Sequence, residues 1–260
     1  MLRILSGLVL IAVFFSCIWF LPPLWLLAVA EAVLVLAFVE YAGLADALGS
    51  RVPRAASAVA AMAMCAAVGL GIPLELPLVA AFVGLGALIV GSRAPAAGVL
   101  SDVAAAIFPM VYLGVPLGSV VALHAMAGRE SVLLLLLTVI VSDSAQYFTG
   151  RWLGRHELSP VISPKKTVEG ALGGFVLAPA TMVVLAHWWL PGRSPVWVLL
   201  VGLAIVGLGI AGDLFESLLK RSAGVKDSSA LIPGHGGVLD RIDAMLFAAP
   251  VFYVLLKYGG

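Results

Sequence analysis

Charge is what this sequence has least of. Asp, Glu, Lys and Arg make up 11% of its 260 residues and hydrophobic residues 62%, for a mean hydropathy of +1.14. Soluble globular domains carry about 25% charged residues, so a water-soluble fold is excluded and the bilayer must account for most of the chain. Cysteine is nearly absent too. Cys17 and Cys65 both lie in apolar segments, which suggests neither a disulfide framework nor a zinc site. There is no Walker A loop, dinucleotide fingerprint or serine-nucleophile elbow, and no internal repeat of the kind that marks many transporters. Long polar stretches are missing as well. The two longest, Thr149 to Glu169 and Phe215 to Arg241, fall short of the ~50 residues a soluble domain needs. Any chemistry must therefore be done at the membrane surface, by groups on helix ends and short loops. The formal net charge of +1 says little in itself; no nucleic-acid partner is expected.

What is present is a series of apolar windows. A crossing needs about 20 residues, and nine windows reach or approach that length: Ile4 to Leu21, Leu24 to Leu44, Ala55 to Ile72, Leu76 to Val90, Ala96 to Met126, Ser131 to Phe148, Gly170 to Leu190, Val196 to Leu214 and Ile242 to Leu256. The expected fold is all-α, a polytopic integral membrane protein with about nine transmembrane helices. It forms a single membrane domain, with N-terminal helices in residues 1–130 and the helices that carry the site in residues 131–260. The fifth window contains Asp102, Pro109 and Pro116 and reads as a kinked helix, a broken helix or a helix plus a re-entrant piece. The first ends in Trp19-Phe20-Leu21-Pro22-Pro23 rather than in a small-residue cleavage site, so it reads as a retained helix. Twelve of the fifteen Lys and Arg residues fall on the side of the N-terminus and the even-numbered loops. That asymmetry predicts a cytoplasmic N-terminus.

Against this apolar background three polar stretches stand out. Between Asp213 and Asp243, nine charged residues fall within 31 positions: Asp213, Glu216, Lys220, Arg221, Lys226, Asp227, Asp240, Arg241 and Asp243. Each charge near hydrocarbon costs roughly 2.5 to 3.5 kcal/mol on insertion scales, so the run calls for a reason. Asp213, Ser217 and Lys220 recur at i, i+4 and i+7, one helical face if the eighth helix continues to Arg221. Gly234-His235-Gly236-Gly237 lets the backbone approach a ligand closely. Carboxylates gathered with lysines suit Mg²⁺, which takes one or two carboxylates together with substrate phosphates. The plainer reading is a solvated loop, which would not require the glycine segment. A second stretch, Leu158-Ser159-Pro160-Val161-Ile162-Ser163-Pro164-Lys165-Lys166-Thr167-Val168-Glu169-Gly170, is kept extended by two Ser-Pro steps. It puts two lysines at the start of the seventh helix, as an anion site or as a positive-inside anchor. The third contains Asp143, with Gln146, Tyr147 and Gly150 near its helical face. An acid so close to the membrane is either functional or bonded to a neighbouring helix.

The pattern Ser217-x-Leu219-Lys220-Arg221-x4-Lys226-Asp227-x-Ser229-x2-Ile232-Pro233-x-His235-Gly236-Gly237-Val238-x-Asp240-Arg241-Ile242-Asp243 resembles, without departure across 27 positions, the signature of CDP-diacylglycerol synthases, also called phosphatidate cytidylyltransferases. Ser163 to Gly170 resembles a second family segment, and Asp143 with Tyr147, Gly150 and Arg151 resembles the stretch before it. The resemblance covers about Ser142 to the C-terminus. It implies nine helices, a homodimer within membrane lipids, and a Mg²⁺-dependent reaction of CTP with phosphatidate that yields CDP-diacylglycerol and pyrophosphate. By the same resemblance Asp213 and Asp240 are the first-choice metal ligands, bridging two cations if a second one, Mg²⁺ or K⁺, is present. Asp143, Asp227 and Asp243 are second-choice ligands or orienting groups. Lys220, Arg221 and Lys226 are expected to bind phosphates, Lys165 and Lys166 to hold the triphosphate or the lipid phosphate, and Arg241 to bind substrate or pair with a carboxylate. Ser217, Gly236 and Gly237 would line the substrate site, with His235 donating a hydrogen bond in the glycine loop.

Two other readings remain. A lipid or polyprenol kinase would attack the γ-phosphorus and release a nucleoside diphosphate. An ion-coupled transporter would line a pathway with Asp143 and Asp213, though the missing repeat counts against it. The expected location is the bacterial inner membrane, with the site facing the cytoplasm.

Overall fold

In hydrocarbon a backbone can satisfy its N–H and C=O groups only within itself, and this chain does so with helices. The computed structural model describes residues 12–92, 94–232, 234 and 236–259. His235, and the hydrogen bond expected of it, lies outside the described residues, as do Arg3 and Arg93 of the charge asymmetry. The helices are α1 (12–20), α2 (Pro23–Ala47), α3 (Arg54–Leu70), α4 (Glu75–Ser92), α5 (Val99–Pro109), α6 (Val115–Leu153), α7 (Val168–Trp189), α8 (Pro195–Ser222) and α9 (Leu239–Tyr258). A π-helical turn, Met110–Gly114, joins α5 to α6, and a short hairpin of β1 (Glu157–Ser159) and β2 (Ser163–Thr167) separates α6 from α7. From the second onward, every apolar window lies on helical residues apart from end residues at Gly71 and Ile72, Ala96 to Gly98 and Leu190. Five described stretches are long and apolar enough to cross a membrane: α2, α4, Val99–Leu153, α7 and α8. At 17 residues α3 is shorter, and α9, with Asp240, Arg241, Asp243 and Lys257, is not among the five.

Local sequence accounts for the ends and the irregularities. Pro23 occupies the first helical position of α2, where its missing N–H costs nothing and its fixed φ suits a helix start. Gly71 closes α3 with φ 70°, the left-handed cap that side chains resist. Of the readings open for the fifth window, the kink is found: the helix widens into the π turn directly after Pro109, whose ring displaces the regular ladder. The boundary between the fifth and sixth windows is Gly128, with φ 79° and ψ 171° inside the span of α6. Ser131 Oγ donates to the Gly128 carbonyl at 2.8 Å.

The chain forms two compact units, one of Met1–Ala125 with Leu219–Ile242 and the other of Met126–Leu218 with Asp243–Gly260. In the first, α3 is central, packing on α2, α4, α5 and the π turn. Its composition is dominated by alanine, and two glycines opposite let backbones approach. A Cβ on Gly114 would stand 2.5 Å from the Ala61 carbonyl oxygen, and one on Gly118 2.5 Å from that of Cys65. Such close approach of small residues is the main source of helix association where no hydrophobic effect operates between helices. An aromatic group of Phe38, Tyr41, Phe108 and Tyr112 fills the same unit, with Tyr41 donating to the Ala105 carbonyl at 2.9 Å. On α4, Val79, Phe82, Val83 and Val90 are 61% to 83% exposed. An apolar face of that kind belongs against lipid.

The second unit is built in the same manner. Ala171, Ala178, Val206 and Ile210 form its described core, flanked by Phe175 and Leu214. A Cβ on Gly170 would lie 2.7 Å from the Gln146 carbonyl oxygen, and one on Gly212 2.5 Å from that of Asp243. The hairpin pairs Glu157 with Thr167 and Ser159 with Ser163. Of the stretch expected to be extended, Ser163–Thr167 is the second strand of the hairpin, whereas Pro160, Val161 and Ile162 form its turn.

These contacts yield a stability prediction. Gly114→Ala must push apart α3 and the π turn, at a cost of about 1 to 3 kcal/mol for overpacking, and should lower the thermal unfolding midpoint in detergent. Gly84→Ala, with nothing within 4 Å of the added carbon, should leave the midpoint unchanged or raise it. Equal midpoints for the two variants would contradict the packing described.

Candidate active site

In the first unit a polar cluster forms around the start of α9. Asp240 sits in the first turn of that helix. Its Oδ2 accepts from the Gly237 N–H at 2.7 Å, the Ser228 N–H at 3.0 Å and the Ser228 hydroxyl at 2.9 Å. Its Oδ1 takes the Lys220 ammonium in a buried ion pair. Burial works against the charged form of Asp240, which precedes the apolar span that begins at Ile242. The Lys220 and backbone donors outweigh it and hold the carboxyl down at about 2. The loop is shaped by glycine. Gly234 and Gly236 both have φ of 78°, a left-handed conformation open to glycine at little cost, and Ile232 N–H bonds the Gly236 carbonyl at 2.9 Å.

A fourth contributor comes from far away in sequence. Glu40, on α2 and 6% exposed, accepts from Ser229 Oγ at 2.6 Å, Ser228 Oγ at 2.9 Å, Val238 N–H at 2.9 Å and Leu239 N–H at 2.8 Å. The sequence reading passed over it, although an acid in the interior of an apolar helix is the same signal that singled out Asp143. Ser228 and Ser229 were passed over as site groups as well.

In the second unit, Lys166 on β2 pairs with Asp213 on α8 at 2.6 Å, and Ser217 Oγ stands 3.4 Å from the other oxygen of Asp213. The eighth helix does continue through Arg221, as the i, i+4, i+7 spacing required. At the start of α7, Thr167 is the N-cap, its hydroxyl oxygen accepting from Gly170 N–H at 3.0 Å. Glu169 accepts the N–H groups of Arg155 at 3.0 Å and His156 at 3.2 Å and pairs with the His156 ring at 2.6 Å. Those bonds tie the hairpin to its helix. Asp143 and Lys165 are exposed, and Asp243 bonds the Ala244 N–H at 2.7 Å. Lys226, Asp227 and Arg241 are exposed, and so is Arg221, whose guanidinium donates to the Val225 carbonyl at 2.9 Å.

The donor sets differ in their capacity for a cation. No group of three or more His, Cys, Asp or Glu gathers among the described residues, but Mg²⁺ asks for only one or two carboxylates if phosphates complete its shell. Asp213 fits: one oxygen has an ammonium partner and, among the described residues, the other has only the long 3.4 Å contact of Ser217. Asp240 is already filled by four donors, so a cation there would have to replace Lys220.

Comparison with known proteins gives one consistent result. A family model described as "Cytidylyltransferase family" matches residues 1–259. The phosphatidate cytidylyltransferase of Synechocystis sp. is 48% identical over 128 residues, 46% of this chain and 42% of that protein. The Helicobacter pylori (strain J99) protein of the same name is 41% identical over 153 residues, 59% and 57% of the two chains. An uncharacterized protein of Escherichia coli, YnbB, is 42% identical over 131 residues, 50% and 44%. The chain spans about half the length of the curated relatives it matches.

The depressed acidity of Asp240 sets a pH dependence. Its contribution to stability is full above the ordinary aspartate value of about 3.9 and is lost as pH falls through its folded value of about 2. The difference in unfolding midpoint between the parent and Asp240→Asn should be constant from neutrality to about pH 4 and should close below it. A difference that instead closed between pH 7 and 5 would count against the Lys220 pairing.

Proposed function

Because the chain belongs to the cytidylyltransferase family, we propose that it is a phosphatidate cytidylyltransferase, joining CTP and phosphatidate into CDP-diacylglycerol and pyrophosphate. The observation that carries the reading is the unbroken pattern from Ser217 to Asp243, in which Lys220 and Asp240 form a buried ion pair beside a glycine loop. In the reaction an oxygen of the phosphatidate phosphomonoester attacks the α-phosphorus of CTP. The new P–O bond forms as the bond to the β-phosphate oxygen breaks, and the electron pair leaves with pyrophosphate.

Two polyanions must meet for this to happen, so positive charge is the first requirement. Lys165, Arg221, Lys226 and Arg241, all exposed, are the groups that capture phosphate from solution or from the lipid headgroup. Lys166 and Lys220 are held by carboxylates and so are fixed in direction before substrate arrives, which lowers the ordering cost of binding. Asp213 would hold Mg²⁺ in the second unit, and Asp240 in the first would be open to a cation if Lys220 is drawn away onto phosphate, which gives a second cation, Mg²⁺ or K⁺, its ligand. Bound there, the metal supplies charge neutralisation for the phosphate oxygens. The diacyl substrate stays in the bilayer, so the protein lies in the inner membrane with its polar site toward the cytoplasm, and it works as a homodimer.

The decisive assay is pyrophosphate release by the purified protein in detergent with CTP, Mg²⁺ and short-chain phosphatidate. Release should require both substrates, CDP-lipid should accumulate, and Asp240→Ala should lose roughly a hundredfold or more in rate. CDP in place of pyrophosphate would establish a kinase instead, and inertness toward both substrates would overturn the proposal.

A further inference from the structure

We propose that Glu40 is a positioning residue for the site: a buried carboxylate on α2 that fixes the Ser228–Gly237 loop and the start of α9, and through Ser228 sets the placement of Asp240. The proposal rests on the cytidylyltransferase reading for its catalytic consequence and on geometry alone for the tether. An ionised group in the interior of an apolar helix persists only where donors meet it. Glu40 has four, and they lie 188 to 199 residues further along the chain.

Two of the four are backbone N–H groups at the start of α9. A helix leaves its first N–H groups without partners, and the position preceding Leu239 is Val238, whose side chain has no acceptor. Glu40 therefore caps α9 from another helix, with its negative charge at the positive end of the helix dipole. The other two donors are hydroxyls, and Ser228 is the informative one. Its oxygen stands 2.9 Å from Glu40 Oε2 and also 2.9 Å from Asp240 Oδ2, yet a hydroxyl has one proton. Ser228 thus bridges two carboxylates, and any shift of Glu40 is passed to Asp240 through one side chain. Gly237 gives independent support. A Cβ there would collide with Ser228 Oγ and with the Glu40 carboxylate, whose Cδ lies 2.6 Å from the added carbon. The loop approaches as closely as glycine permits. With every oxygen engaged, Glu40 is not available to substrate or metal.

The test compares Glu40→Gln, Ser228→Ala and the double variant in the full chain. A glutamine amide keeps one acceptor edge and turns N–H groups toward the donors on the other, so two of four bonds are lost. Hydrogen exchange in peptides covering residues 226–240 should quicken about tenfold or more. In the synthase assay, kcat per folded molecule should fall by at least about tenfold, with KM for CTP and phosphatidate changed less than about threefold. Ser228→Ala, which leaves three of the Glu40 bonds, should show part of the same kcat loss, and the double variant should be no worse than Glu40→Gln alone. A merely structural Glu40 would lower the yield of folded protein and leave kcat unchanged, which overturns the positioning role. Additive losses would overturn the Ser228 route. Unchanged exchange in Glu40→Gln would overturn the tether whatever the activity, whereas quickened exchange in a protein whose parent is inert toward CTP and phosphatidate would overturn the reaction and leave the tether standing.

Discussion

A charge at the edge of hydrocarbon must be met by a partner, and the described structure is arranged around that constraint. Lys220 meets Asp240, Lys166 meets Asp213, and Glu40 meets two hydroxyls and two N–H groups. These are not stability devices of the surface kind, where an ion pair is worth little. In a setting that penalises a lone charge by several kcal/mol, they hold these groups in fixed directions. The pairing also explains why so few charged residues suffice for a charged task.

Around these pairs the fold is held by closeness. Gly114 and Gly118 in the first unit, and Gly170 and Gly212 in the second, each remove the one atom that would keep a neighbouring backbone at a distance. Without water, dispersion and direct backbone contact replace the hydrophobic effect as the source of helix association. The same device recurs at Gly237, where the missing carbon makes room for a carboxylate.

Much of this was legible in the sequence, for definite reasons. Helical windows are set by the thickness of the bilayer, so eight of nine could be read from apolar length and were then met by helical residues; the first is described only from residue 12. Lys220 and Asp240 both fall inside a motif of fixed spacing, which marks them as site groups without showing that they pair with each other, and the Thr167 start of α7 follows from local capping chemistry. What spacing could not supply was the partner across the chain. Nothing local links Glu40 to Ser228, because long-range contacts in helical membrane proteins leave no periodic trace. The π turn after Pro109 and the break at Gly128 were legible only as a choice among kinks. Proline and glycine mark where a ladder is disturbed and not how it reforms. The division into units, with Leu219–Ile242 grouped with the first 125 residues, is likewise a property of packing.

The separation of Glu40 from its donors has a consequence for biogenesis. Leu239 is synthesised 199 residues after Glu40, which at 5 to 20 residues per second is an interval on the order of 10 to 40 s. During that time α2 is in the translocon or the bilayer with an acid that has none of its final partners. A polar group without partners is costly to hold in lipid, so α2 carries that cost until the start of the last helix delivers its N–H groups. Arrival of α9 then satisfies a group placed in α2 long before, so the order of synthesis leaves an early helix dependent on the last one.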